Sequence, residues 1–302
     1  VVVVNRFLKN YRVTNYAGRS IYYGLGFVWL FWAPLVMFWN WPLGLATIVV
    51  FVLGLIDDMY GTGDSKGFRG HLKALLKGKV TTGFVKLFGI SLVSFLYALY
   101  PHTYDVFNSY DGSGFKVFEN ALQLPAGLSD PKYIALALLV GAAIALTSNF
   151  LNLMDLRPGR AVKTYLLLIS SVTIAIVGTV QISGAIQVYE MYSSSELLEN
   201  IFSPWVAASF GLPLLIFALP MLLVALPDLK EKAMLGDAGA NAAGFVAGAF
   251  IVMWLPLWAL VIYLLLMLTL NLASEKISYS KVIDNNPLLK KIDNIGRLKN
   301  DE

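Results

Sequence analysis

The sequence predicts an all-α polytopic membrane protein, and three observations carry that prediction. Of its 302 residues, 57% are apolar and only 14% are charged, against about 25% charged in ordinary soluble domains. The apolar residues arrive in long runs, and the mean hydropathy is +0.67. The basic residues gather on one side of those runs. Such a composition excludes a disordered chain, which needs low hydrophobicity and high charge. There is no cysteine, which excludes a disulfide framework or a thiolate metal site. Two histidines cannot build a His-rich metal centre.

A helix crosses about 30 Å of hydrocarbon with about 20 apolar residues, at about 1.5 Å each. Eight segments are candidate spans: 22–39, 43–56, 82–100, 133–154, 164–184, 204–226, 238–255 and 257–273. The second is short, so it either borrows Trp41 and Pro42 or begins as a partly buried segment. Pro42 and Pro256 fall between spans, where a missing backbone donor is harmless. Val1–Val4 are apolar with no initiator Met and read as the tail of a ninth span, so the full-length protein is expected to have nine or more. Residues 1–273 form one membrane-embedded domain and residues 274–302 a basic tail. No fixed-period repeat or low-complexity tract interrupts them.

Charge sets the orientation. The segments 5–20, 57–81, 155–163, 227–237 and 274–302 hold 20 of the 23 Lys and Arg residues. Lys86 lies just inside a span on that side, and only Lys116 and Lys132 fall opposite. By the positive-inside rule the basic side is cytoplasmic. The outer loops 101–132 and 185–203 are polar and mildly acidic.

Polar residues crowd the cytoplasmic edge. Gly54-Leu55-Ile56-Asp57-Asp58 ends the second span with two carboxylates, which are costly inside a bilayer. Adjacent carboxylates repel unless a cation sits near them, which suits a base or a divalent metal; the plain alternative is a solvated helix end. Lys66-Gly67-Phe68-Arg69-Gly70-His71-Leu72-Lys73 follows. It reads as a phosphate grip, with Lys73 a point charge and His71 a weaker candidate, or as a basic loop on anionic headgroups.

The fourth span runs into Asn149-Phe150-Leu151-Asn152-Leu153-Met154-Asp155, which places two amides and a carboxylate on one helical stripe. Helix–helix hydrogen bonding is the alternative use. Arg157, Pro158, Gly159 and Arg160 come next. After Pro227-Asp228 the chain reads Leu235-Gly236-Asp237-Ala238-Gly239. There Asp237 is a helix N-cap or a metal or nucleotide ligand, with Gly236 and Gly239 allowing close approach of a ligand or tight helix packing. Carboxylates, amides and basic residues converging beside a bilayer point to a substrate with phosphates, a Mg²⁺ ion and a lipid part. Mg²⁺ takes oxygen ligands, usually one or two carboxylates plus phosphates.

Three of these motifs, in order, resemble the polyprenyl-phosphate N-acetylhexosamine-1-phosphate transferases, which include the enzyme that makes lipid I for peptidoglycan. Gly54–Asp58 with Lys66-Gly67 and Lys73 is similar to the family's Asp-Asp loop and downstream lysine. Asn149–Asp155 is similar to its Asn-x-x-Asn-x-x-Asp loop, and Leu235–Gly239 to its Met-Gly-Asp-x-Gly loop. The likeness runs from about residue 12 to 273. It implies a multi-pass enzyme of the bacterial inner membrane with its site facing the cytoplasm. A polyprenyl phosphate would attack the sugar-bearing phosphorus of a UDP-sugar and release UMP. By this resemblance Asp237 and Asn152 hold Mg²⁺, and Asp57 or Asp58 deprotonates or positions the lipid phosphate. Lys73 balances phosphate charge, and Asp155 joins the same cluster. Asn149, Gly236, Gly239, Arg157, Arg160 and His71 are the candidate substrate-binding residues. The implied partners are polyprenyl phosphate, a UDP-sugar and membrane lipids, with a homodimer as the candidate assembly and no nucleic acid.

The chain departs from the family twice. Pro158 replaces a second carboxylate, with Arg157 and Arg160 adding positive charge, and no His follows Asp237 where the family has a His-rich loop. The resemblance therefore does not assign the sugar. Three other readings compete. A non-catalytic or altered-substrate member would bind lipid phosphate only. A transporter would place charges or broken helices near mid-span. An intramembrane aspartyl protease would need Gly where Met234 stands.

Overall fold

Backbone groups in a long apolar segment must bond one another once water is excluded, and a helix does this within one segment. The computed structural model follows that rule. It describes residues 12–14, 18, 20–38, 40–61, 67–100, 131–191 and 204–297. The expectations for Val1–Val4, Lys66 and the outer-loop residues 101–130 and 192–203 lie outside the described residues.

Eleven helices occur among the described residues. In chain order they are α1 (Val28–Met37), α2 (Trp41–Tyr60), α3 (Gly67–Leu76), α4 (Thr82–Ala98), α5 (Pro131–Met154) and α6 (Arg160–Met191). Then come α7 (Pro204–Leu229), α8 (Gly236–Val252), α9 (Leu257–Ser274), α10 (Tyr279–Asn285) and α11 (Pro287–Asn294). Each of the eight apolar segments overlaps one of them. The short second segment gains its length at both ends. Asn40 caps α2 by accepting the N–H of Leu43 at 3.1 Å, and Pro42 sits in the first turn. At the other end the helix runs on through Asp57 and Asp58 to Tyr60, so the carboxylates lie in its last turn rather than after it.

Among the described residues, three helices are long and apolar enough to cross a membrane: α2, α5 and α9. Leu25–Met37, α4, Leu214–Leu229 and α8 are apolar but shorter. This is compatible with a helical membrane protein. The surface agrees, since α9 buries only Leu260, Met267 and Asn271 and exposes Trp258, Ile262, Leu265, Leu266, Leu268 and Leu272. A monomeric soluble protein does not expose so large an apolar face.

The all-α expectation needs one correction. Strands β1 (Arg12–Thr14), β2 (Ser20–Tyr23) and β3 (Ala233–Met234) form a small sheet in that order. β1 and β2 are antiparallel, with Val13 opposite Ile21, whereas β2 and β3 are parallel, with Tyr22 opposite Ala233. The first apolar segment therefore starts as a strand and becomes helical only at Val28, after a 3-10 turn at Leu25–Phe27. The cause is long-range pairing: β3 leads straight into α8, and β2 fixes it there.

α8 is the central helix. All its residues except Asp237 are buried, as expected of a helix that is apolar all round. Its small residues let neighbouring backbones close in. A Cβ on Gly244 would lie 2.5 Å from the Ser148 Cα of α5. One on Gly54 of α2 would lie 2.6 Å from the Ala238 Cα. At the far side an aromatic cluster joins α1 to α6, α7 and α8. Trp29 meets Trp32 and Tyr165 edge-on at 5.3 and 5.8 Å. Trp32 meets Phe217 at 5.6 Å, and Phe217 meets Phe250 at 4.7 Å. Two of the polar tips meet backbone carbonyls, the Trp32 indole N–H donating to Ile216 and the Tyr165 hydroxyl to Phe217, while the buried Trp29 indole N–H has no hydrogen-bond partner among the described residues.

Candidate functional site

The chain ends of α2 and α5 meet the chain starts of α4 and α8, and this junction collects the polar residues. Gly54 brings the last turn of α2 against the first turn of α8. Asp58 then reaches the free amides of α8, accepting the N–H of Asp237 at 3.0 Å and of Ala238 at 2.9 Å. A helix N-terminus has unpaired donors and a partial positive charge, so a carboxylate there is stabilised. Asp237 itself is not the N-cap. It lies inside the first turn, because Gly236, at φ +69°, makes the bend from β3 into the helix.

Asp57 points to a different partner. Its carboxylate pairs with the Lys86 ammonium at 2.6 Å. Lys86 also pairs with Asp237, and the two carboxylates lie within hydrogen-bond reach of each other. Thr82 adds a hydrogen bond to Asp57. The Lys86 side chain is only 8% exposed, that of Asp57 14%, and that of Asp237 34%, so Asp237 is the open side of the group.

Asp155 follows α5 and is buried, accepting a backbone N–H from Gly236. Burial pushes its carboxyl well above the usual range, and the charges of Asp228 and Asp237 push it further. Asp228 is buried near the end of α7 and accepts the Gly159 N–H at 2.8 Å. Its other oxygen is buried with no hydrogen-bond partner among the described residues. Asp57, Asp58, Asp155 and Asp237 thus gather where Lys86 supplies one positive charge, leaving the group net acidic.

The amides divide. Asn149 donates to Asn271 of α9 at 2.6 Å, and Asn271 donates to the Leu146 and Met267 carbonyls. That is helix–helix hydrogen bonding, the alternative use considered for Asn149. Asn152, a turn further on, is half-buried and has no side-chain hydrogen bond among the described residues. Asn241 ties α8 to α5. Its side chain donates to the Asp237 carbonyl at 2.7 Å, and its own carbonyl accepts from Ser148 at 2.8 Å.

Other expected residues stand apart from the cluster. Gly239 faces protein, since a Cβ there would lie 2.6 Å from the Gly26 Cα. His71 of α3 bonds Thr81 at 2.8 Å. Thr81 accepts the Phe84 N–H at 3.2 Å to cap α4, so His71 braces the helix that carries Lys86. Lys73 is exposed in the last turn of α3 and makes no ion pair among the described residues. Arg157 grips Asp284 with two bonds, at 2.8 and 2.7 Å. Arg160 is buried against Asp293, at 2.8 and 3.0 Å, and reaches Ser280 at 2.7 Å. Both arginines therefore serve the segment after α9 rather than an open cleft. Lys86 is the residue to which the sequence reading gave no role. A lone ionisable residue inside an apolar segment is a functional candidate by default, and that signal was available.

The donor set suits a hard cation. Asp237 offers carboxylate oxygen at the exposed side of the group, next to Asp57. Among the described residues no three acidic or His side chains surround one point. Mg²⁺ does not need such a cage, because it keeps several waters and takes one or two carboxylates together with substrate phosphates. Asp237 could supply one such carboxylate. No family model, curated protein or solved structure matches this chain.

Proposed function

We propose that the chain is a Mg²⁺-dependent phosphoglycosyl transferase of the bacterial cytoplasmic membrane. It moves a sugar-1-phosphate, with N-acetylhexosamine-1-phosphate the first candidate, from a UDP-sugar to a polyprenyl phosphate and releases UMP. Its product serves cell-envelope glycan synthesis. One observation carries this reading: Asp57 of α2 and Asp237 of α8 meet at Lys86 of α4, with Asp58 on the first amides of α8 and Asp155 accepting the Gly236 N–H beside them. Phosphoryl transfer depends mostly on positioning and charge neutralisation, and a compact set of carboxylates around one ammonium can supply both.

In this account an oxygen of the lipid phosphate bonds to the sugar-bearing phosphorus as the bridging bond to UMP breaks. The electron pair of that bond leaves on UMP. Asp57 positions the lipid phosphate or takes its proton, while Asp58 is committed to the α8 amides and keeps that helix start in place. Lys86 orients Asp57 and Asp237 and offsets their repulsion. Mg²⁺ held at Asp237 and Asn152 would neutralise pyrophosphate charge. The polar cluster faces the cytoplasm in this reading, in line with the basic asymmetry of the chain.

A second reading is a member of the same fold with altered substrates or no turnover. It is favoured by Lys73 standing apart and by Arg157 and Arg160 being engaged with the segment after α9. Mass spectrometry of lipids extracted after incubation with undecaprenyl phosphate, Mg²⁺ and a panel of UDP-sugars separates the two. The transferase reading expects a polyprenyl pyrophosphoryl sugar with one of them. A folded protein that yields none with any UDP-sugar favours the second reading.

A further inference from the structure

After α9 the chain turns back on itself. Only residues 275–278 separate Ser274 from Tyr279. At about 3.3–3.6 Å per residue they cannot carry α10 far from the end of that membrane-crossing helix. α11 is then held at the same level by the start of α6. Arg160 and Asp293 form a buried ion pair, and Arg297 adds a second ion pair to Asp293 at 2.7 Å. Lys163 donates to the carbonyls of Ile292 and Ile295 at 3.1 and 3.2 Å. The acidic side chains of α10 and α11, Asp284 and Asp293, are therefore both paired with arginine.

What points outward is apolar and basic. Leu288 is 66%, Ile292 46% and Ile295 61% exposed. Leu288 and Ile292 stand one turn apart on one side of α11, with Lys291 beside them and Asp293 on the other side. Val282, Ile277 and, at the end of α9, Leu272 are exposed as well, so exposed apolar side chains recur along the chain from α9 into α11. Lys276, Lys281, Lys290 and Lys291 are all exposed around it. An apolar strip rimmed by lysines is the pattern of a helix lying in the membrane interface, and juxtamembrane lysines are drawn to anionic lipid.

We propose that α10 and α11 form an interfacial platform whose occupant is the bilayer itself. Leu288, Ile292 and Ile295 enter the headgroup–acyl boundary, and Lys276, Lys281, Lys290 and Lys291 take anionic lipid headgroups. The docking pairs Arg157–Asp284 and Arg160–Asp293 engage the acidic groups of α10 and α11 and leave their lysines for the membrane. This inference stands apart from the transferase reaction.

The absence of cysteine makes the test clean. Single nitroxides are placed at Leu288→Cys and Ile292→Cys in the whole chain, with Leu265→Cys on α9 as the lipid reference. The protein is reconstituted in nanodiscs of phosphatidylcholine with or without phosphatidylglycerol. In anionic discs both labels should be several-fold more accessible to oxygen than to a water-soluble nickel chelate, as at Leu265. Chelate access should rise several-fold in neutral discs, and in anionic discs when Lys281→Gln, Lys290→Gln and Lys291→Gln are combined. Chelate access that is high in anionic discs, or the same in both lipids, would overturn the proposal. So would spin–spin broadening between copies, which would make a second chain the occupant.

Discussion

Asp58 accepts the backbone N–H of Ala238 at 2.9 Å, joining the last turn of α2 to the first turn of α8 across 180 residues. A helix start is usually capped by its own preceding residue; here another helix supplies the carboxylate. Asp57, next to it, goes to Lys86 instead. The two adjacent carboxylates therefore differ in what they hold. Loss of a cap costs roughly 0.5–2 kcal/mol, so Asp58→Ala should lower the melting temperature in detergent. Asp58→Asn, which keeps one acceptor oxygen, should lower it less. Asp57→Asn leaves Lys86 its second carboxylate, Asp237, so it should melt nearer the wild type than Asp58→Ala and lose turnover. Equal melting losses for Asp57→Asn and Asp58→Ala would contradict this division.

Lys86 is the cation that lets Asp57 and Asp237 lie together. Removing one partner of a buried ion pair costs about 3–5 kcal/mol, because the remaining charge is left uncompensated. Lys86→Met should therefore destabilise the protein strongly. Adding Asp57→Asn and Asp237→Asn to Lys86→Met should restore much of the loss, since residues in one network do not act additively. Thermal unfolding of the single and triple variants measures this. A triple variant that melts below the single one would show that the carboxylates are held by something else.

The junction of α2 and α8 depends on Gly54. A Cβ there would lie 2.6 Å from the Ala238 Cα and 2.6 Å from the Asp237 carbonyl oxygen, and backbone cannot move aside as a side chain can. Overpacking of this kind costs roughly 1–3 kcal/mol. Gly54→Ala should lower both stability and turnover, because it pushes Asp57 and Asp58 away from Asp237. Gly78, at φ +74° with open space around it, is the control: Gly78→Ala should cost some stability through backbone strain and leave turnover intact.

The segment after α9 has its own pH signature. Arg157 beside Asp284 holds that carboxyl below the usual range. Burial would raise Asp293, but hydrogen bonds from Arg160 and the charges of Arg160 and Arg297 outweigh it and keep Asp293 low. A carboxyl lowered in the folded state adds stability that is complete above its unfolded value of about 3.9 and is lost as pH falls through the lower folded value. Docking of α10 and α11 should therefore be unchanged from pH 8 to about 5 and loosen below about 4. Hydrogen exchange over residues 279–294 reads this directly. Loosening that is complete already at pH 5 would contradict it.

The sequence made some of this legible and hid the rest for physical reasons. The apolar runs marked the helices, because burial and backbone pairing in an apolar setting leave a helix as the local answer. Asp57, Asp58, Asp155 and Asp237 were legible as unusual charges at the ends of those runs. The pairing of Tyr22 with Ala233 was not, since a two-residue strand has no periodicity and its partner lies far away in the chain. Arg157 and Arg160 looked like substrate ligands because a sequence does not display Asp284 and Asp293 as their partners. Asn149 looked equally fit for a ligand or for another helix, and only the position of Asn271 decides that. Lys86 stood out as a charge in an apolar segment, but its meaning depended on two carboxylates carried by other helices.

The measurement that tests the central claim most directly is UMP release by the purified protein. The mixture holds undecaprenyl phosphate, Mg²⁺ and a panel of UDP-N-acetylhexosamines, with EDTA and the Asp237→Asn variant as parallel arms. The account predicts UMP that requires both substrates, disappears with EDTA and is absent with a folded Asp237→Asn protein. UMP release that persists in the Asp237→Asn variant, or none at all from the folded wild type with any sugar, would contradict it.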